Sequence, residues 1–487
     1  MSEARGYRFA DSSRPGLLLG LSARQAIPVI GGVLFLAVTL QLPVPALIGA
    51  LGPVIGCGLA FGRWRGSPLA ETLAPGVALV VKRHTGHRQW TRPPLVGDNS
   101  GHPVPRPLSG LELLDDPTRR FVVVRDRHAG LVSAVLRIHG QGFPLASPAE
   151  QDAILTGWGA ALSPFAREQS PVAQLVWQEW AHPVASDTHQ AFLAAVGLSA
   201  RGDDPAVVDY MALVDEQAPV TIAHDVLLTV TVDQRRVRAR RSSRSRLDTA
   251  IGTLADEIRL FIGRLEAVGL SVDEPLSAIE VSAAVRVRSD PGRAAQVATL
   301  TRSLAAASRR GALEWGPMVV EPAWGHVHVD AAFHRAYRVA GWPRLPVTAD
   351  WLSGLVADSN CVRTVTVVAE PVAMGRAARA ADREVMAREA DSELKERKGF
   401  RVNARERKRL TDAEGREREL SEGHAEFRFV GLVTVTAPTL DQLDDDCADI
   451  EQAAAGCLLD LRPLDARHDL GWIAALPLGR VVARTTS

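Results

Sequence analysis

Two histidines two residues apart, His326 and His328, come nearest by type and spacing to a metal site. On a β-strand, residues i and i+2 share a face, so both imidazoles point the same way and Asp330 continues the row. A zinc site needs further ligands that residue order does not supply, and packing within a sheet is the plainer role. Asp441, Asp444, Asp445 and Asp446 crowd the start of a helical stretch, where the positive end of the helix dipole accounts for them without a ligand. The densest basic run is Arg235, Arg236, Arg238, Arg240, Arg241, Arg244 and Arg246. It reads first as a link between a strand and a helix, second as a contact with anionic lipid, and third as a contact with nucleic acid. Interleaved aromatic residues, which stacking on single strands would need, are missing.

Other chemistry lacks its motif. None of the four lysines (Lys82, Lys395, Lys398, Lys408) sits in Gly-x-x-x-x-Gly-Lys-Ser/Thr, so no loop cradles a nucleotide phosphate. Gly-x-Ser-x-Gly and His-Glu-x-x-His are also absent, and Cys57, Cys361, Cys447 and Cys457 are scattered without ligand spacing. Acidic and basic residues balance at 56 each, which announces neither a nucleic-acid binder nor an acidic tail. The sequence therefore predicts no catalytic, cofactor-binding or metal site, and a protein that is not an enzyme.

The elements behind these residues begin with an apolar run. Ala26 to Gly62 contains no Asp, Glu, Lys, Arg or His, and Gln41-Leu42-Pro43-Val44-Pro45 breaks it near the middle. The pattern predicts a transmembrane helical hairpin with arms at 26–41 and 46–62. Arg5, Arg8, Arg14 and Arg24 before it, and Arg63, Arg65, Lys82 and Arg83 after it, place both termini in the cytoplasm. The competing reading buries the hairpin in a soluble core. Residues 67–88 read equally as an interfacial helix with a basic end or as an ordinary amphipathic helix. Lys82, Arg83, Arg235, Arg236, Arg238, Arg240 and Arg241 are the candidate contacts with anionic lipid.

Beyond the membrane region (1–90) and a Pro-rich linker (91–107), period-two runs alternate with helical ones. Residues 108–272 and 321–487 both spell strand, strand, helix, strand, long helix, strand, helix, with a helical bridge at 273–320. The expected fold class is α+β: two related ββαβαβα, ferredoxin-like modules, each an antiparallel sheet with helices on one face. Within the second, 374–421 reads as a charged helical arm in which Arg388, Glu393, Arg397 and Arg405 are candidates for docking a partner.

Ser67-Pro68-Leu69-Ala70-Glu71 and Lys82-Arg83-His84-Thr85-Gly86-His87-Arg88, following the hairpin, resemble the PrgI-type membrane component of type IV secretion and conjugation systems. Trp324-Gly325-His326-Val327-His328, Arg335 to Trp342, the strand from Val362 to Pro371 and Ala474 to Gly479 are similar to an actinobacterial membrane-protein family of conjugation-like secretion cassettes. The two-module part is similar in layout to the non-motor N-terminal domain of the VirB-type secretion ATPase. The resemblance implies a membrane-anchored, non-enzymatic adaptor of the inner membrane that docks a separate ATPase at the cytoplasmic face. Its implied partners are that ATPase, other membrane components and the lipid bilayer, within an oligomeric assembly and without direct nucleic-acid contact. An EccE-like component of type VII secretion is the alternative within the class, and a membrane-associated enzyme the alternative outside it.

Overall fold

The computed structural model describes residues 23–42, 45–85, 89–93, 103–115, 121–140, 142–183, 204–217, 222–238, 245–306, 315–357, 360–397 and 404–480, with Gly6, Tyr7, Phe9, Leu193 and Gly197. The apolar run folds as two antiparallel helices, α1 (Ala23–Thr39) and α2 (Ala46–Phe61). They approach closely because small residues face inward. A Cβ added at Gly32 would lie 2.8 Å from the carbonyl carbon of Gly52, and one added at Gly56 would lie 3.1 Å from that of Pro28. The Gln25 amide donates to the Ala60 carbonyl at 3.1 Å and fastens the open end. A tight turn between β1 (Arg63–Trp64) and β2 (Ser67–Pro68) uses left-handed backbone at Arg65 and Gly66. It leads into α3 (Leu69–His84).

No helix among the described residues is long and apolar enough to cross a membrane. This overturns the expected transmembrane hairpin, and with it the multi-pass inner-membrane placement and the assignment of both termini to the cytoplasm. The physical reason is length. The arms have 17 and 16 residues, about 25 Å each at 1.5 Å per residue, against a hydrocarbon core of about 30 Å. The first turn of α1 is spent on Arg24 and Gln25, and α2 stops at Phe61 because Gly62 and β1 turn the chain away.

The remaining strands join one sheet. In chain order the elements are β3 (Trp90–Thr91), β4 (Leu111–Asp115), β5 (Val122–Asp126), β6 (Leu131–His139), α4 (Pro148–Leu162), β7 (Val172–Pro183), α5 (Pro205–Gln217), β8 (Ile222–Asp233), α6 (Arg246–Ala267) and β9 (Ser271–Val272). Then come α7 (Ala278–Ser289), α8 (Ala294–Ala306), β10 (Val319–Pro322), β11 (Val327–Val329), β12 (Ala332–Gly341), α9 (Ser353–Val356) and β13 (Arg363–Pro371). The chain continues through α10 (Met374–Arg397), α11 (Ala404–Ser421), β14 (Phe427–Ala437), α12 (Leu440–Gly456), β15 (Asp460–Pro463) and α13 (His468–Ala474). Side-chain caps start the key helices: Ser147 with Glu150 on α4, Ser277 with Glu280 on α7, Ser245 on α6 and Thr439 on α12.

Where two separate sheets were expected, there is a single antiparallel sheet of 13 strands. Its order is β3-β10-β11-β12-β14-β13-β7-β8-β6-β5-β4, with β15 beside β12 and β9 beside β6. The order reads alike outward from the central pair β13/β7, because β14, β12 and β15 mirror β8, β6 and β9. Setting aside the helices inserted between the middle strands (α5 in one half, α10 and α11 in the other), each half is thus a βαββαβ unit with the strand order of ferredoxin-like folds. The halves fuse by pairing Arg363–Ala369 of β13 with Ala181–Leu175 of β7.

Helices cover both faces. On one, Leu254, Ile258, Phe261 and Leu265 of α6 pack on Val132, Ala134 and Leu136 of β6. On the same face, Leu443, Cys447 and Ile450 of α12 pack on Tyr337, Val433 and Val435. Trp177 lies between these two clusters. The opposite face is closed by α7, by α13 with Trp472, and by the extended chain after it.

Candidate functional site

The face closed by α13 is unusually polar for an interior. It carries Ser133, Thr229, Thr231, Gln174, Gln178, Thr366, Thr434 and His334, all buried. Their purpose follows from what lies on them. The chain from Ala474 to Arg480 crosses the seam without joining a ladder, so its buried carbonyls need donors from side chains. Gln178 Nε2 donates to the carbonyls of Ala474 (2.7 Å) and Leu476 (3.1 Å), and Gln174 Nε2 to that of Gly479 (2.5 Å). Arg480 closes the strap, with Nε on Asp126 (2.9 Å) and Nη1 on the carbonyls of Pro107 and Ser109. Gly479 has a positive φ of 65°, and a Cβ there would lie 2.5 Å from Ser133 Oγ.

The ionisable groups of this face also serve the structure. Asp225 bridges Arg137 and Arg288, each at 2.9 Å, and the Arg288 guanidinium lies over Trp180 at 4.9 Å. Burial alone would raise the Asp225 carboxyl, but the two guanidiniums outweigh it and hold it below the usual range. His334 donates from Nε2 to the Ser289 carbonyl and pairs with Thr436 Oγ1 through Nδ1, both at 2.9 Å, and burial pushes it down to about 4. His468 accepts the Ala336 N–H at Nδ1, and burial pushes it down to about 3.

The N-terminal helices present the opposite surface. Large apolar side chains of the hairpin stand in solvent: Leu47 is 83% exposed, Ile27 68% and Val54 66%. The hairpin reaches the sheet through α3. Gly76 lies against Trp324, while Arg65 and Lys82 each approach a buried carboxylate, Asp465 and Asp469, at 3.9 Å. Burial holds both carboxyls above their usual range. Beside Arg65, a pocket lined by Arg65, Arg338, Arg462 and Arg467 encloses only about 10 Å³, room for about one water and too little for a phosphate.

The singled-out residues fall in several places. His326 and His328 both pack on Phe333, with ring centroids at 5.5 and 4.3 Å. Asp330 accepts the backbone N–H of Met318 and Val319. No group of three metal-ligating side chains is assembled among the described residues. Asp444 binds Arg335 at 2.7 Å.

The basic residues are dispersed. Lys82 and Arg83 end α3. Arg235, Arg236 and Arg238 follow β8, where Arg236 donates to the Val172 carbonyl at 3.3 Å and Arg238 binds Gln169. Arg240 and Arg241 lie outside the described residues. On α10, Arg388 pairs with Glu384 at 2.7 Å and Arg397 with Glu393 at 3.4 Å. Arg405 belongs to α11, and its side chain lies outside the described residues. Arg416 ties the two arm helices together through Glu384 (2.8 Å) and reaches Glu426 (2.8 Å).

Sequence reasoning missed Gln174, Gln178, His468 and Arg480. The signal available was the alternation of Gln and Thr with apolar residues in β7, β8, β13 and β14, a polar face where a buried sheet should be apolar. Compared with known proteins, the chain matches no protein-family model and no curated protein sequence.

Proposed function

We propose that the protein is a non-enzymatic adaptor of a type IV-like secretion or conjugative DNA-transfer apparatus, and that it docks a separate ATPase. The observation that carries the reading is the outward apolar surface of the α1–α2 hairpin, free of charge from Ala26 to Gly62 and joined through α3 to Trp324 and Asp469. Exposed apolar patches of this kind mark interaction surfaces. The continuous two-unit sheet supplies the platform that an adaptor needs, and the resemblance of the hairpin and the two-unit layout supplies the class of apparatus.

The test is capture of a purified VirB-type secretion ATPase by the purified full chain. The intact chain captures it, and Leu47→Glu with Val54→Glu loses it at an unchanged melting temperature. Failure of the intact chain to capture the ATPase, or turnover of nucleotide by the chain alone, overturns the reading.

A further inference from the structure

We infer that the outer face of α3 and the cavity beside it form a docking groove for an acidic amphipathic helix of a protein partner, with one bulky apolar side chain as its anchor. This rests on the adaptor reading and names the chemistry of the partner element. The cavity, of about 220 Å³, lies between Leu79 and Val80 of α3 and the turn Pro322-Ala323-Trp324. It falls below the roughly 300 Å³ at which small-molecule clefts begin. At about 30 Å³ per water-sized group it holds roughly seven such groups, the scale of one large side chain.

The cavity opens onto a row of exposed apolar residues. Leu73 (41% exposed), Val77 (59%), Val80 (52%) and Val81 (52%) stand at i, i+4, i+7 and i+8, one face of the helix over two turns. Such a stripe is the surface that a second helix reads with anchors at matching intervals. Trp324, 42% exposed at the cavity wall, supplies the kind of aromatic around which binding energy concentrates.

Charge selects the occupant. Among the described residues, Lys82 and Arg83 are the charged ones of the cavity lining, and no acidic residue lines it. The C-terminus of α3 favours these cations by itself, and Lys82 also lies 3.9 Å from Asp469. Arg83 remains at the mouth, so a helix bearing carboxylates beside its anchor fits and a basic one is repelled. A second copy of α3 fits less well: its only acidic residue is Glu71, which lines the arginine pocket instead.

The probe is a fluorescently labelled 16-residue peptide with leucines and one phenylalanine on one helical face and glutamates flanking them, titrated into the full chain. Its twin carries lysine in place of every glutamate. The acidic peptide binds saturably and at least ten-fold more tightly than the twin. Arg83→Glu removes that preference, and Val77→Asp weakens binding at least ten-fold with melting temperature unchanged. The inference is overturned if the acidic peptide does not bind, if the twin binds equally, or if neither substitution matters. It is also overturned if the chain instead forms dimers that Val77→Asp dissolves. Loss of peptide binding with ATPase capture intact sinks this inference alone, whereas loss of ATPase capture sinks the adaptor reading.

Discussion

The hairpin and the sheet seam invert each other. In the hairpin, glycines meet inside and leucine, isoleucine and valine look outward; in the seam, glutamine, threonine and histidine look inward onto a strap of backbone. Both arrangements cost free energy if taken alone, since apolar surface in water and polar groups in an interior are each unfavourable. The seam resolves much of its cost internally, because Gln174 and Gln178 donate to the very carbonyls that the strap buries, although Gln178 Oε1, Thr229 Oγ1 and Trp472 Nε1 stay without a partner. The hairpin has no such internal complement among the described residues. The seam is therefore closed on itself, and the hairpin is a surface for something else.

The largest effect that would break this contrast is expected from pH. In the unfolded chain histidine protonates near 6.5, whereas burial holds His334 near 4 and His468 near 3. The unfolded state thus binds more protons below 6.5, and the stability these residues contribute is present above that pH and lost as pH falls. The loss is about 1.4 kcal/mol per pH unit for each, or about 4 kcal/mol together between pH 6.5 and 5. Asp465 and Asp469, raised by burial, pull the other way as they protonate. Urea midpoints at pH 7 and pH 5 measure the difference, and equal midpoints would show that the seam is not sealed from water.

A smaller effect comes from removing one donor. Gln178→Leu removes the amide donor from the carbonyls of Ala474 and Leu476, which keep only Thr366 Oγ1 at 3.4 Å and the Leu478 N–H at 2.8 Å, and should cost about 1 kcal/mol. Chemical denaturation gives the value, and a neutral result would mean that the strap rests on Trp472 and the leucines alone. The smallest effect belongs to the hairpin. Leu47→Gln with Val54→Gln should stay within about 0.5 kcal/mol of the parent, because neither side chain is buried. A loss of several kcal/mol would show that these side chains are packed in solution and erase the contrast.

Much of the framework was legible in the sequence. The α+β class and individual strands such as β7, β8 and β14 declare themselves through period-two alternation, and α4 and α12 through their Ser147 and Thr439 caps. The two-residue strands β3 and β9 were not legible, because two residues make no period. Nor was the fusion of the halves, since the β13–β7 pairing joins residues nearly two hundred positions apart and no local pattern encodes it. The hairpin misled because hydropathy counts apolar residues and not helix length: 37 uncharged residues suggest two spans until caps and turns shorten each arm. The strap stayed hidden because its polar partners are spread over β7 and β13, and each looks ordinary alone.

The position of the strap also sets an order of assembly. Gln174 waits for the carbonyl of Gly479, 305 residues later, and Gln178 for that of Ala474, 296 residues later. Contacts of such separation form late, after local hairpins and helices. During synthesis, each half can build its own four central strands while the face between them stays wet and its glutamines are satisfied by water. Dehydration of the seam waits until residues 474–480 have been made and laid across it, whatever the two halves have built before.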